Sequence, residues 1–471
     1  MSDDDREYYD EQDAQAAYDR FRDSLREGAF RYFDVVEFEG IIDNLMDEGD
    51  YENAHVAIEH AMTIHPSALP VRIRYAQYLI NKGKTKDALE ELAFLEKVDS
   101  ENPDIFLMQG TSHLLEGSRE KAESSFRKAV AFAGEEVADI LYHIGTSWIS
   151  VGNLEMAILY FERSFRVDPE NEMVLNDLGY FYDQLGYPEK SIRFYNLYLD
   201  LDPFNPAVWF NLGIAYNRTS RFEKALEAYE YCLALNESFY HAIFNKANSL
   251  ANLERYREAI AAYRDYLKSD PENDDAWCYM GECYLNQGRY KMAGRYYQKA
   301  LSINAVNDIA LFSLGIVRWV EKNFRESLRL IRKAISLEEE MPDYWFTYAR
   351  VLGDAGMIRE ARRAFNKAVH LHPGNAEIWI YYAEFLHQNG LVSEAIRTLK
   401  KGVRHNNTDA VIKYHLAGYL FETNDEKEAA LLLETALKLD FNRHDNLFRV
   451  CPKAAQNDSV RKLIKSYTPL K

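Results

Sequence analysis

PAVWFNLGIAYNRTSRFEKALEAYEYCLALNESF, residues 206–239, carries two helical faces separated by a turn. Trp209, Leu212 and Tyr216 fall at i, i+3 and i+7 and share one face of a first helix. Gly213, beside them, is small enough to let a second helix approach. Thr219 to Phe222 lack apolar periodicity and read as the turn. Ala225, Leu226, Tyr229 and Leu233 then give the second helix an inward stripe of its own. Two antiparallel helices of this size leave each other half covered. Neighbours must complete the core, and stability becomes a sum of repeat and interface terms.

The same pattern of sizes returns every 34 residues on both sides of this stretch. Twelve repeats stand in one register, beginning near Val35, Leu69, Pro103, Ala138, Glu172, Pro206, Tyr240, Asp274, Asp308, Pro342, Ala376 and Ala410. One extra residue falls between the third and fourth, near Gly134 to Val137. The small residue that opens the second helix's packing face recurs in all twelve, from Ala54 and Ala88 through Ser191, Ala225 and Ser327 to Ala429. The corresponding first-helix position holds Gly110, Gly145, Gly179, Gly213, Gly281 and Gly315, alanine in five other repeats, and Ile42 in the first. Strand signals are absent, and a fixed period outweighs the several domains that length alone suggests. The predicted class is all-α.

Trp209, Leu212, Gly213 and Tyr216, followed by Ala225 and the aromatic Tyr229, resemble the tetratricopeptide repeat. The resemblance covers roughly residues 35–443. It implies a right-handed superhelical solenoid whose first helices line a concave groove and whose second helices form the convex outside. It also implies a non-enzymatic scaffold or adaptor that binds extended peptide or protein segments in that groove. Two other readings stand beside it: a scaffold of an RNA-processing complex, suggested by Trp345-x2-Tyr348, Ala361-Arg362 and Trp379-x2-Tyr382, and a regulatory subunit of an enzyme.

Composition narrows the partners. The net charge is −19, and residues 1–50 hold five basic against 17 acidic side chains, a net of −12. Residues 451–471 hold five basic and one acidic, a net of +4. Such acidity argues against direct nucleic-acid binding, which needs clustered Lys and Arg. The opposed ends allow a salt-sensitive self-association. Cys232, Cys278, Cys283 and Cys451 lack zinc spacing and read as free thiols of a reducing compartment. The N-terminus has neither a basic nor an apolar leader region, and no run reaches membrane-span length, so the expectation is a cytoplasmic protein without membrane contact. Gly83-Lys84-Thr85 looks like part of a phosphate loop, but the upstream glycine position holds Tyr78, and the triplet reads as a turn. No cofactor or metal site and no catalytic constellation is expected.

The ends depart from the period. Residues 1–12 read as an acidic disordered tail and 13–34 as an N-terminal capping helix, Ala14, Ala17, Tyr18, Phe21 and Leu25 falling at helical spacing with a break expected at Gly28. That segment either covers the edge of the first repeat or lies in the groove and occludes it. Residues 35–443 form the twelve-repeat solenoid, and 444–471 read as C-terminal capping helices interrupted at Pro452, with Asn457 or Asp458 capping the last.

By the resemblance, positions 2, 5, 6, 9, 12 and 13 of each first helix face the groove. Position 6 holds Asp177, Asn211 and Asn245 in successive repeats, and an Asn amide offers a peptide backbone both donor and acceptor. These groups are otherwise solvated, or bonded between repeats. Position 5 supplies an apolar row that includes Phe210, Phe244, Phe312 and Phe346, with Tyr180 as a nearby anchor and Asn248 at position 9. Part of this row is packing within a repeat. A lysine never stands at position 5, so the basic clamp that docks acidic chaperone tails is not expected.

Overall fold

First helices begin where the period places them. In the computed structural model, which describes residues 11–27 and 31–467, they start at Val35, Leu69, Pro103, Glu172, Pro206, Tyr240, Asp274, Asp308, Pro342, Ala376 and Ala410. The fourth starts at Val137, after a 3-10 turn at Gly134–Glu136 that absorbs the extra residue. Twelve helix pairs stand among the described residues, and none of those residues is in a strand. The chain divides into two compact units, Met1–Ser238 and Phe239–Lys471, each an array of six pairs.

Small residues set the approach of the two helices. All twelve second-helix positions from Ala54 to Ala429 are fully buried. A Cβ added at Gly213 would stand 2.4 Å from the Tyr229 ring, and at Gly110, Gly145 and Gly179 it would stand 2.3 to 2.5 Å from Phe126, Phe161 and Tyr195. The first-helix glycine is therefore space filled by an aromatic from the second helix. Ile331 does the same at Gly315, at 2.5 Å.

Each pair turns through one left-handed residue. Position 15 of every repeat has φ between +57° and +78°: a glycine in eight repeats, and Ser220, Glu254, Lys322 and Asn424 in the others. This residue closes the first helix by an αL cap, the conformation glycine adopts without steric cost. Gly83 is one of these turn residues. Between repeats, Asn102, Asn171, Asn205, Asn273, Asn307 and Asn375 cap the following first helix, as Asp34 and Asp409 also do. Four tryptophans at position 4 tie one repeat to the preceding linker: the Nε1 groups of Trp209, Trp277, Trp345 and Trp379 donate to the carbonyls of Pro203, Pro271, Glu339 and Pro373 at 2.8–3.0 Å.

In the first unit, the Glu11–Glu27 helix lies against the first repeat, with Tyr18 and Phe21 buried and Tyr18 Oη donating to Glu48. It begins at Glu11, two residues inside the segment read as tail, because Glu and Gln favour continued helix. Residues 1–10, and the break expected at Gly28, lie outside the described residues. In the second unit, a short Asp445–Val450 helix packs on Ala410–Glu422 so closely that a Cβ on Gly418 would meet Val450 at 2.7 Å. Pro452 opens a 3-10 turn, and Asn457 caps the Asp458–Ser466 helix through Ser459 and Val460.

Candidate functional site

Positions 9, 12 and 13 of a first helix share one face, since three- and four-residue steps return to the same side. Cavities lie over this face in both units. In the first, about 360 Å³ opens over repeats two to four, lined by Gln77, Asn81, Thr111, Thr146 and Ser150 among others. Thr111 Oγ1 and Ser147 Oγ stand 2.8 Å apart there, and Gln77 donates to Asn81 at 2.9 Å. In the second unit, about 520 Å³ opens over repeats seven and eight, lined by Asn248, Asn252, Tyr256, Tyr279, Glu282 and Asn286 among others. A further 270 Å³ or so lies over repeats nine to eleven, around Trp319, Arg350, Asp354 and Tyr381.

Amides, hydroxyls and ring edges recur in the linings, joined by Ile80, Leu107, Met108 and Leu115 in the first unit and by Glu254 and Glu282 over repeats seven and eight. Asn248 Oδ1 accepts from Tyr263 Oη at 2.5 Å, and Asn252 Nδ2 donates to the Asn248 carbonyl at 3.0 Å. Burial raises the Glu282 carboxyl above its usual range. The Cys283 thiol is pushed up to about 12 by burial and by Glu282. Over repeats nine to eleven, the Arg350 guanidinium sits 4.8 Å from the Trp319 ring, 5.1 Å from Tyr381 and 5.5 Å from Phe346, while Trp319 Nε1 donates to Asp354 at 2.8 Å.

The residues singled out by sequence meet different fates. Asp177 is committed between repeats: Tyr142 Oη donates to it at 3.1 Å and Asn176 at 3.4 Å. Burial still raises its carboxyl, against both hydrogen bonds, and lifts Tyr142 to about 12 with help from Asp177. Asn211 in the first unit and Asn245 in the second are half-buried. Neither side-chain amide has a hydrogen-bond partner among the described residues.

The position 5 aromatics are packing elements with one exposed edge. Phe210 lies 6.0 Å from Tyr229; Phe244 lies 5.0 Å from Tyr266 and 6.0 Å from Tyr279; Phe312 stacks on Tyr344 at 4.4 Å; and Phe346 meets Tyr381 at 5.4 Å. Cys278 and Tyr414, at the same position, are buried outright. Phe210 packs on a ring of its own repeat, while Phe244, Phe312 and Phe346 also reach the next, and position 5 of one repeat meets position 6 of the next in Tyr142–Asp177, Phe244–Tyr279 and Phe346–Tyr381. Tyr180 is exposed beside Phe181 at 5.1 Å. Of the nine residues, Asn248 alone lines one of the three cavities. Asn252, Glu282 and Asn286 stand at positions 9 and 13 of their repeats, so the same register that marks Asn248 also marks them.

Among the described residues no His, Cys, Asp and Glu side chains group in threes to hold a metal, and no helix is long and apolar enough to cross a membrane. Family profiles described as tetratricopeptide repeat match residues 45–110, 138–171, 174–205, 206–239, 244–308 and 352–413, more than half of the chain. No curated protein matches. Among solved structures, yeast Tom70 is similar at 16% identity over 92% of this chain and 95% of its own, with a TM-score of 0.44. The anaphase-promoting-complex hetero-tetramer Cut9–Hcn1 is similar at 14% identity over 91% and 94%, with a TM-score of 0.43. The MamA protein is similar at 24% identity over 36% of this chain and 92% of its own, with a TM-score of 0.35.

Proposed function

Because the chain belongs to the tetratricopeptide-repeat family, we propose that it is a non-enzymatic scaffold that holds extended protein segments along its first-helix faces. One observation carries this reading: cavities recur over the same helical positions, 9, 12 and 13, in both units, with side-chain amides and hydroxyls in each lining. Amides provide donor and acceptor for a peptide backbone, whose own groups need partners once they leave water. The half-buried amides of Asn211 and Asn245 extend the same supply within their respective units. The Glu11–Glu27 helix acts as a cap on the first repeat, since its apolar side is consumed by that packing.

A library of unstructured 12-residue peptides, selected against the full chain, tests the reading. Selected peptides should lose about thirtyfold in affinity when Asn248→Ala is combined with Asn286→Ala, two lost hydrogen bonds being worth about 1 kcal/mol each. Lys224→Ala, on the exposed side of a second helix, should leave them unchanged. Peptides that bind both variants as tightly as the wild type would overturn the first-helix site.

A further inference from the structure

The cavity over repeats seven and eight contains two carboxylates, Glu254 and Glu282, and no Lys, Arg or His in its lining. Neither carboxylate has a hydrogen-bond or ion-pair partner among the described residues. Glu282 is exposed on its outer side, the protein packed against it raises its carboxyl, and no cation in the lining offsets this. Glu254, Tyr256 and Glu282 line one cavity, and the Tyr256 phenol is raised by burial, then by Glu254, Cys283 and Glu282, against a hydrogen bond with Asn286. Two carboxylates lining one cavity without a cation of their own can pair with an incoming ammonium or guanidinium. The rings of Tyr256 and Tyr279 line the same wall, and an aromatic face attracts a cation as well.

The amides beside them are already oriented. Tyr263 occupies Asn248 Oδ1, leaving the Asn248 NH2 group to donate. The Asn248 carbonyl occupies Asn252 Nδ2, leaving Asn252 Oδ1 to accept. Four residues of helix separate the two by about 6 Å along the axis. An extended chain returns to the same side every two residues, about 6.6 Å apart. The pair therefore matches alternate residues of an extended segment.

We propose that this cavity is a specificity pocket for an extended protein segment bearing a lysine or arginine, with Asn248 and Asn252 holding the backbone and Glu282, seconded by Glu254, taking the cationic side chain. The inference rests on the scaffold reading above and adds the charge of the segment.

The peptide selection is repeated with the full-length wild type, with Glu282→Gln and with Glu282→Lys, each checked for an unchanged melting curve. Wild-type selection should enrich Lys or Arg at one fixed place in the peptide. Glu282→Gln should abolish that enrichment and weaken a selected peptide about tenfold, as expected for loss of a charge-assisted contact. It should also reduce the salt dependence of binding, and Glu282→Lys should shift the enrichment toward Asp and Glu. Peptides that depend on Asn248 and Asn286 but show no basic preference would overturn the charge assignment and leave the scaffold reading standing. Failure to select any peptide sensitive to Asn248 would overturn both.

Discussion

A methyl group at Gly213 would stand 2.4 Å from the Tyr229 ring, closer than any real contact allows. Gly213→Ala should therefore destabilise the array by about 1–3 kcal/mol, the usual cost of overpacking. Combining it with Tyr229→Leu should cost less than the sum of the two changes, because Ala76 faces Leu92 at the same pair of positions in repeat two and both are fully buried. Urea unfolding of the two single variants and the double measures this. Lys322 presents the opposite case, an L residue held at φ +62° where eight repeats use glycine. Lys322→Gly should raise stability by about 1 kcal/mol by relieving that backbone cost, read as a higher unfolding midpoint. The requirement for a small residue at Gly213 was legible in the sequence, since crowding between paired helices repeats every 34 residues. The left-handed turn was hidden at Ser220, Glu254 and Lys322, where no glycine marks it.

Helices are joined by caps whose worth depends on their surroundings. Asn205 caps its helix from a half-buried place and donates to Tyr198 at 2.9 Å, so Asn205→Ala should cost about 1 kcal/mol. Asn307 is buried; it accepts from Ala310 N at 2.7 Å and donates to Asp274 at 2.8 Å. Asn307→Ala should cost about twice as much, because it also leaves buried partners unsatisfied; chemical denaturation of the two variants compares them.

The first helix of repeat twelve carries a pH-sensitive element. Burial lowers the pKa of His415 to about 4, Arg449 acts in the same direction and Asp409 against it. Glu384 stands 3.7 Å from His415 Nδ1, too far for a hydrogen bond, and its own carboxyl is raised by burial, so both groups favour their neutral forms. The unfolded chain takes up the proton near pH 6.5 and the folded chain only near 4, so stability present above about 6.5 is lost as pH falls through that window, about 3 kcal/mol in all. Hydrogen exchange in Ala410–Glu422 should accelerate accordingly between pH 6.5 and 4 after correction for intrinsic rates, and His415→Gln should remove that extra dependence. The sequence showed a histidine at position 6, but its titration is set by burial and by Arg449 of the Asp445–Val450 helix packed over the same repeat, which no periodicity reports.

At the scale of the array, each helix pair packs chiefly on its neighbours, so a local defect should fade with distance along the chain. Gly110→Ala should raise exchange in repeats two to four and leave repeat six, in the same unit, unchanged; a uniform rise across the first unit would point to all-or-none cooperativity there. The period, the helix pairs, the extra residue near Gly134 and the small packing positions were all determined by sequence alone, because helical spacing and side-chain volume are local properties repeated twelve times. Tertiary structure decided which groove-side groups remain available. Tyr142 takes up Asp177 from 35 residues away, and Phe244, Phe312 and Phe346 are spent against rings of the next repeat. Glu282 is left without a cation. Whether a polar or aromatic side chain is satisfied depends on what the next repeat presents to it, and that is set by how the pairs stack rather than by any residue's own spacing.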